Sequence, residues 1–132
     1  MVSPSAGSDN RYQIQVSVYS QFLADQSDPA KQIYSFAYTV RITNSGNVPA
    51  QLISRHWIIK DDSNEVVEVK GLGVVGHQPL MAPGESFEYT SGCQLKTPSC
   101  TMRGNYFFVA EDATQFAAPV AEFVLTVPRV LH

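Results

Sequence analysis

The sequence predicts an all-β fold: one domain of about seven strands arranged as a two-sheet sandwich. Three observations carry this. Val, Ile and Thr total 28 residues against seven Leu, and aromatic residues make up 11% of the chain; β-branched and aromatic side chains suit a pleated, half-buried surface. Eight Gly and eight Pro are spread along the whole chain as punctuation. No stretch longer than about ten residues has helical periodicity. Closure into a small barrel is the alternative, because periodicity does not fix which strands pair.

The elements follow in order. Residues 1–10 are small, polar and turn-rich, and are expected to be a disordered lead-in to a single domain over 11–132. Tyr12, Ile14, Val16 and Val18 alternate with polar residues, which is the period of a strand with one wet face. Ala24 to Lys31 is polar and holds Asp28-Pro29, so a loop is expected. Tyr34, Phe36, Tyr38, Val40 and Ile42 form the cleanest alternation, ended by a turn at Asn44-Ser45-Gly46-Asn47. Val48 to Lys60 reads as a strand that breaks phase. Val48, Ala50 and Leu52 share one parity; Ile53, Trp57 and Ile59 share the other, and the shift predicts a bulge or bend. Asp61-Asp62-Ser63-Asn64 is a hairpin turn, with Val67 and Val69 on the returning strand. A glycine-rich segment from Gly71 to Pro79 follows. Pro83-Gly84 suits the centre of a type II turn. Phe87 and Tyr89, then Tyr106 and Phe108, mark two further strands. Glu111-Asp112-Ala113-Thr114 is another hairpin turn. The last strand runs from Gln115 towards Val127, with Pro119 at an edge, bulge or crossing point.

Charge excludes several function classes. Nine Lys and Arg against twelve Asp and Glu give a net charge of −3 among 132 residues. Nucleic-acid binding needs a basic field to meet phosphates, and a polybasic membrane anchor needs the same. No apolar run is long enough to span a bilayer. Met1 to Ser8 has neither the basic nor the apolar part of a signal peptide, so cytoplasmic residence is expected. Cys93 and Cys100 are then expected to be free thiols.

Little catalytic chemistry is visible. The chain has no Gly-x-Ser-x-Gly, His-Glu-x-x-His or Cys-x-x-Cys. Asp61-Asp62 and Glu111-Asp112 lie at expected hairpin tips, where acids serve local turn bonding. Two thiols with His56 or His77 would make an incomplete metal set, so neither a metal site nor a cofactor is expected. His56 reads as a partly buried structural residue and Trp57 as core. Gly71-x-Gly73-x-x-Gly76 matches the dinucleotide-binding fingerprint only in its letters. That fingerprint needs a helix after the last glycine, and Pro79 and Pro83 forbid one of useful length. Two readings of the segment stay open. It is a crossover loop whose glycines supply positive φ, or it is a concave anion site built from backbone N–H groups of Gly71, Gly73 and Gly76 with His77 adding a donor.

Three runs carry a resemblance to a known family: Gly71 through Pro79, Pro83 through Cys93, and Met102-Arg103-Gly104-Asn105-Tyr106. Phe36-Ala37-Tyr38, Arg41-Ile42 and Ser54-Arg55-His56-Trp57 belong to the same ordered set. Together they resemble the ApaG family, also called CorD, from about Tyr12 to the end of the chain. The resemblance implies an immunoglobulin/fibronectin type III-like β-sandwich and a small bacterial protein linked to cobalt resistance and magnesium efflux. It also implies a non-catalytic module for protein–protein interaction, with no enzymatic activity established for the family. A phosphate or pyrophosphate site at the glycine loop is the alternative that it implies. Two positions depart from the family pattern: His77 stands where an acid is usual, and Cys100 where a glycine is usual. The expected ligands are therefore an unidentified protein partner, or a phosphate or nucleotide at the loop. A monomer or weak homodimer is expected.

Overall fold

A computed structural model describes residues 10–128; the expected lead-in over 1–10 lies outside the described residues except for Asn10. Among the described residues eight strands run in chain order: β1 (Ile14–Phe22), β2 (Tyr34–Asn44), β3 (Ala50–Asp61), β4 (Val66–Leu72), β5 (Leu80–Met81), β6 (Ser86–Leu95), β7 (Ser99–Ala110) and β8 (Gln115–Thr126). The strand beyond the expected seven is the two-residue β5, too short for periodicity to reveal. Two short 3-10 turns, Ala24–Gln26 and Pro29–Lys31, fill the polar loop after β1.

The strands form two antiparallel sheets, so the sandwich is the observed architecture. A three-stranded sheet has the order β1-β2-β6, and a five-stranded sheet has the order β4-β3-β7-β8 with β5 also pairing β3. The alternating faces of the two sheets meet in one core. Phe36, Val40 and Ile42 come from β2, Leu52 and Trp57 from β3, and Met102, Tyr106 and Phe108 from β7. Trp57 is 3% exposed and stands edge-on to the rings of Tyr106 and Phe123. A side chain of that size spans the space between the sheets, which is why one tryptophan suffices.

The predicted phase break in β3 is a bulge. Leu52 pairs with Phe108 and Ser54 with Phe107, leaving Ile53 as the extra residue. The consequence differs from the parity reading of the sequence. The bulge returns Trp57 to the same side as Leu52, so both are buried. Of the four expected turns, three close with a backbone hydrogen bond. Glu85 N donates to the Ala82 carbonyl around Pro83-Gly84, with Gly84 at φ +87°. Asn64 N donates to Asp61 O, and Ala113 N to Ala110 O, at the two hairpin tips. Pro119 lies on the edge strand β8, beside a second register shift between Met102 and Gly104. Cys100 takes an ordinary buried place at the start of β7 and does not have positive φ.

Asn44, at the end of β2, is a buried polar residue with its hydrogen bonds made. Its side-chain amide donates to the Val48 and Met81 carbonyls, each at 2.9 Å, and its Oδ1 accepts from Gly46 N. This ties the turn after β2 to β5 and so fixes the far end of the glycine segment.

Candidate functional site

The glycine segment is not a crossover. β4 and β5 both pair with the same edge of β3, at Ser54–Lys60 and at Ala50–Gln51. Residues 73–79 are the excursion between them. The β3 bulge makes the anchor: the carbonyl of Ile53, unpaired on β7, accepts from Gly73 N at 2.8 Å and from Gln78 Nε2 at 2.9 Å. Leu52 N donates to Pro79 O at 3.0 Å on the other side.

At the tip, Val74 and His77 exchange backbone hydrogen bonds of 2.8 and 2.9 Å. Val75 and Gly76 between them both have positive φ, +41° and +82°. Two left-handed residues in a two-residue loop match the twist of paired strands. Glycine supplies this freely, whereas a β-branched valine is held there against its preference. Gly73 has φ +64°, and a Cβ on it would collide with the His77 carbonyl oxygen. So Gly73 is needed for both conformation and space, and Gly76, open on all sides, for conformation alone.

The four predicted site residues therefore part company. Gly71 lies inside β4, paired with Arg55. Gly73 N is spent on Ile53, and His77 N on Val74. Val75 N, Gly76 N and Gln78 N are the loop donors left without a protein acceptor among the described residues, the first two adjacent at the tip. His77 is exposed and lays its ring against Phe87 of β6, 5.8 Å between centroids, so the loop tip reaches across to the other sheet.

The sequence reading missed Arg55 in this assembly. Its Nη1 donates to the Leu72 carbonyl at 3.1 Å and to the Gly73 carbonyl at 2.8 Å. Gly71, opposite on β4, leaves room for the guanidinium, which a Cβ there would crowd. Beyond it lie three buried phenols, Tyr38, Tyr89 and Tyr106. Burial pushes all three above the ordinary tyrosine value, Tyr89 to about 12, while Arg55 draws them back slightly. The Tyr89 and Tyr106 hydroxyls share a hydrogen bond across the two sheets.

A second feature lies on the outer face of the five-stranded sheet. The register sets its side chains in rows across β4, β3, β7 and β8. Leu72, Ser54, Phe107 and Ala117 form one row; Lys70, His56, Asn105 and Pro119 form the next. Leu80, Gln51, Val109 and Gln115 form the row above them. Two shallow depressions of about 450 Å³ flank Phe107, one lined by Ile53, Val109 and Ala117 and one by His56, Lys70 and Leu72. His56 is held by Glu68, Nε2 to Oε1 at 2.9 Å. The sequence did carry a signal here. Phe107 is a large apolar residue at a position whose neighbours Tyr106 and Phe108 face inward.

The remaining chemistry-bearing groups are dispersed. Asp61 caps its own hairpin through Ser63 and Glu65, and Asp112 accepts from Tyr12 and Thr114 N; hydrogen bonding holds both carboxyls below their ordinary value. Cys93 and Cys100 are unpaired, and burial raises both thiols, Cys100 to about 12. Among the described residues no three His, Cys, Asp or Glu gather as metal ligands, and no helix is long and apolar enough to cross a membrane.

Comparison with known proteins agrees with this architecture. The sequence model of the ApaG domain matches residues 24–110. Protein ApaG of Ralstonia nicotianae is 58% identical over 123 residues, covering 93% of this chain and 99% of that protein. Protein ApaG of Bordetella pertussis is 61% identical over 121 residues, 92% of each chain. A crystal structure of a Bordetella pertussis protein described as ApaA superposes with a TM-score of 0.89 at 59% identity, covering 92% of this chain and 99% of that one. A further X-ray structure gives 0.84 at 41% identity, covering 94% and 92%. The chain belongs to the ApaG family.

Proposed function

We propose that this chain is a non-catalytic binding module that recognises another protein, and that it does so in the cytoplasm. One observation carries the reading. Leu72, Leu80 and Phe107, exposed at 75%, 68% and 39%, stand together on one sheet face around shallow depressions. Apolar side chains gathered on an open face mark an interaction surface. The titratable groups offer little to acid–base catalysis. Asp61 and Asp112 sit at exposed hairpin tips with lowered values, and the groups with raised values are phenols and thiols packed in or against the core. A general acid or base needs to be poised near neutral pH and to reach a substrate. The family's link to cobalt resistance and magnesium efflux would then act through the partner. The test is affinity capture of the tagged chain from its own cells, with cross-linking and mass spectrometry. A protein recovered in near-equal amount supports the module; recovery of a small molecule and no protein overturns it.

The alternative is a small-anion site at the loop of Gly71, Gly73, Gly76 and His77, taking phosphate, pyrophosphate or a nucleotide. It is favoured by the adjacent Val75 and Gly76 N–H groups, which have no protein acceptor among the described residues, with His77 beside them. Two donors make a modest site. Calorimetric titration with pyrophosphate checks it: heat that is lost in His77→Glu supports the site, and no heat at millimolar ligand removes it.

A further inference from the structure

The outer face of the five-stranded sheet has a charge pattern as well as an apolar one. Lys70 on β4 and Arg103 on β7 form no salt bridge among the described residues. Both lie on this face, Lys70 opposite His56 and Arg103 opposite Ile58. Glu68, in the row of Arg103, is occupied by His56 at 2.9 Å, and exposed Glu122 lies on β8 at the register shift beside Arg103. So two free cations stand on the edge of the apolar rows in a chain whose net charge is −3. The other end of the face is different: Lys60 there lines a depression with Asp61, Asp62 and Glu122. The Leu72 and Leu80 rows thus lie beside Lys70 and Arg103, and exposed Val66 and Val124 share the row of Lys60.

We infer that this face docks an acidic amphipathic segment of a partner protein, seated with its apolar side chains on either side of Phe107 and its carboxylates on Lys70 and Arg103. This rests on the reading of the chain as a protein-binding module and names the partner's chemistry. The apolar rows require an apolar surface in return, and the free cations require acids placed beside it. A second copy of this chain does not fit. A second copy brings its own Lys70 and Arg103 to any face-to-face pairing, and the outer face of the three-stranded sheet is polar, with Thr39 bonded to Thr90 and Thr43 to Ser86. A nucleic acid needs many phosphate contacts and no apolar floor. An anionic membrane gains only about 1 kcal/mol from each nearby cation, and two are too few to hold it.

The test uses the full chain, isotope-labelled for NMR. The probe is a synthetic peptide with Leu on one helical face and Glu on its flanks, beside a version with Lys in place of Glu. Amide shifts at Leu72, Phe107, Val109 and Ala117 with the acidic peptide, and none with the basic one, support the proposal. Phe107→Ser should weaken binding about ten-fold, as expected for a central apolar anchor. Lys70→Glu with Arg103→Glu should exchange the preference towards the Lys peptide. Arg41→Glu, on the other sheet, should leave the affinity unchanged. Shifts confined to the β6 edge, an unchanged preference in the charge-reversed variant, or binding to phosphatidylserine vesicles in place of the peptide would each overturn it. The two readings fail separately. A cellular partner still captured by the Phe107→Ser and charge-reversed variants refutes this face and leaves the module standing. No capture by the wild type, together with a silent peptide titration, refutes both.

Discussion

Arg55 closes on the Gly73 carbonyl at 2.8 Å, and this bond joins the middle strand of the larger sheet to the start of the glycine loop. The same Nη1 serves the Leu72 carbonyl, so one side chain satisfies two backbone acceptors where β4 gives way to the loop. Hydrogen bonds from a charged donor contribute about 1.5–3 kcal/mol when they are removed singly. Arg55→Ala should lower stability by about 2 kcal/mol and raise amide exchange from Val74 to His77 more than in the core strands. Hydrogen exchange read by NMR separates the two effects. Uniform acceleration across the chain would mean that Arg55 does not hold the loop in particular.

The two loop glycines should differ in cost. Gly76→Ala meets open space and suffers only from its positive φ, which costs about 1 kcal/mol. Gly73→Ala adds a collision with the His77 carbonyl, so the loop must move, and a loss of about 2–4 kcal/mol is expected. Urea denaturation of both variants tests the order. Equal losses would show that the loop adapts at no cost.

Trp57→Ala should cost about 3–5 kcal/mol, because the removed ring leaves a cavity that the facing sheets cannot close. Trp57 packs edge-on to three aromatic rings, so the surrounding side chains have little freedom to refill it. The thermal midpoint should fall accordingly in calorimetry. A shift of only a degree or two would place Trp57 outside the cooperative core.

Alkaline stability follows from the phenols. Tyr89 is raised from 10.0 to about 12, so its proton is held more tightly in the folded state than in the unfolded chain. The stabilisation is complete below pH 10 and is lost as pH rises through 12. Two units correspond to about 3 kcal/mol at most. Tyr106 is raised as well, from the same starting value, and acts in the same direction. Phenolate absorbance should therefore appear together with unfolding for these residues. Tyr89→Phe with Tyr106→Phe should flatten the alkaline limb. An unchanged limb would assign it to other groups.

The thiols should react slowly. Cys100 is buried and raised to about 12, and Cys93 is raised by burial too. Thiolate is the reactive form, so iodoacetamide at neutral pH should leave Cys100 unmodified in the native chain. Denaturation without reductant should then give two labels by intact mass. A native chain labelled at both sites within minutes would contradict the packing of β7.

The strands were legible because each leaves a period of two in its own residues. Tyr34 to Thr43 and Ile14 to Val18 need no distant information to be read as half-buried. The bulge was legible for the same reason, since one extra residue at Ile53 shifts the parity of everything after it. The site was legible only in part. The glycines announced a tight backbone, yet Gly71 belongs to a strand, and its role is to clear space for Arg55 on the neighbouring strand. That requirement is set by a residue sixteen positions earlier and leaves no local trace.

What the sequence alone determined is the alternation, the turns and the punctuation, because these depend on neighbours within a few residues. Which strands pair, and therefore which side chains share a face, is decided by packing two sheets around Trp57. Only that packing places β4 and β5 on one edge of β3, turns the loop back along that edge, and brings Leu72, Phe107 and Leu80 from three strands onto one surface beside Lys70 and Arg103. Burial is a property of the whole chain: an apolar residue at a given parity is core or surface according to what the other sheet covers.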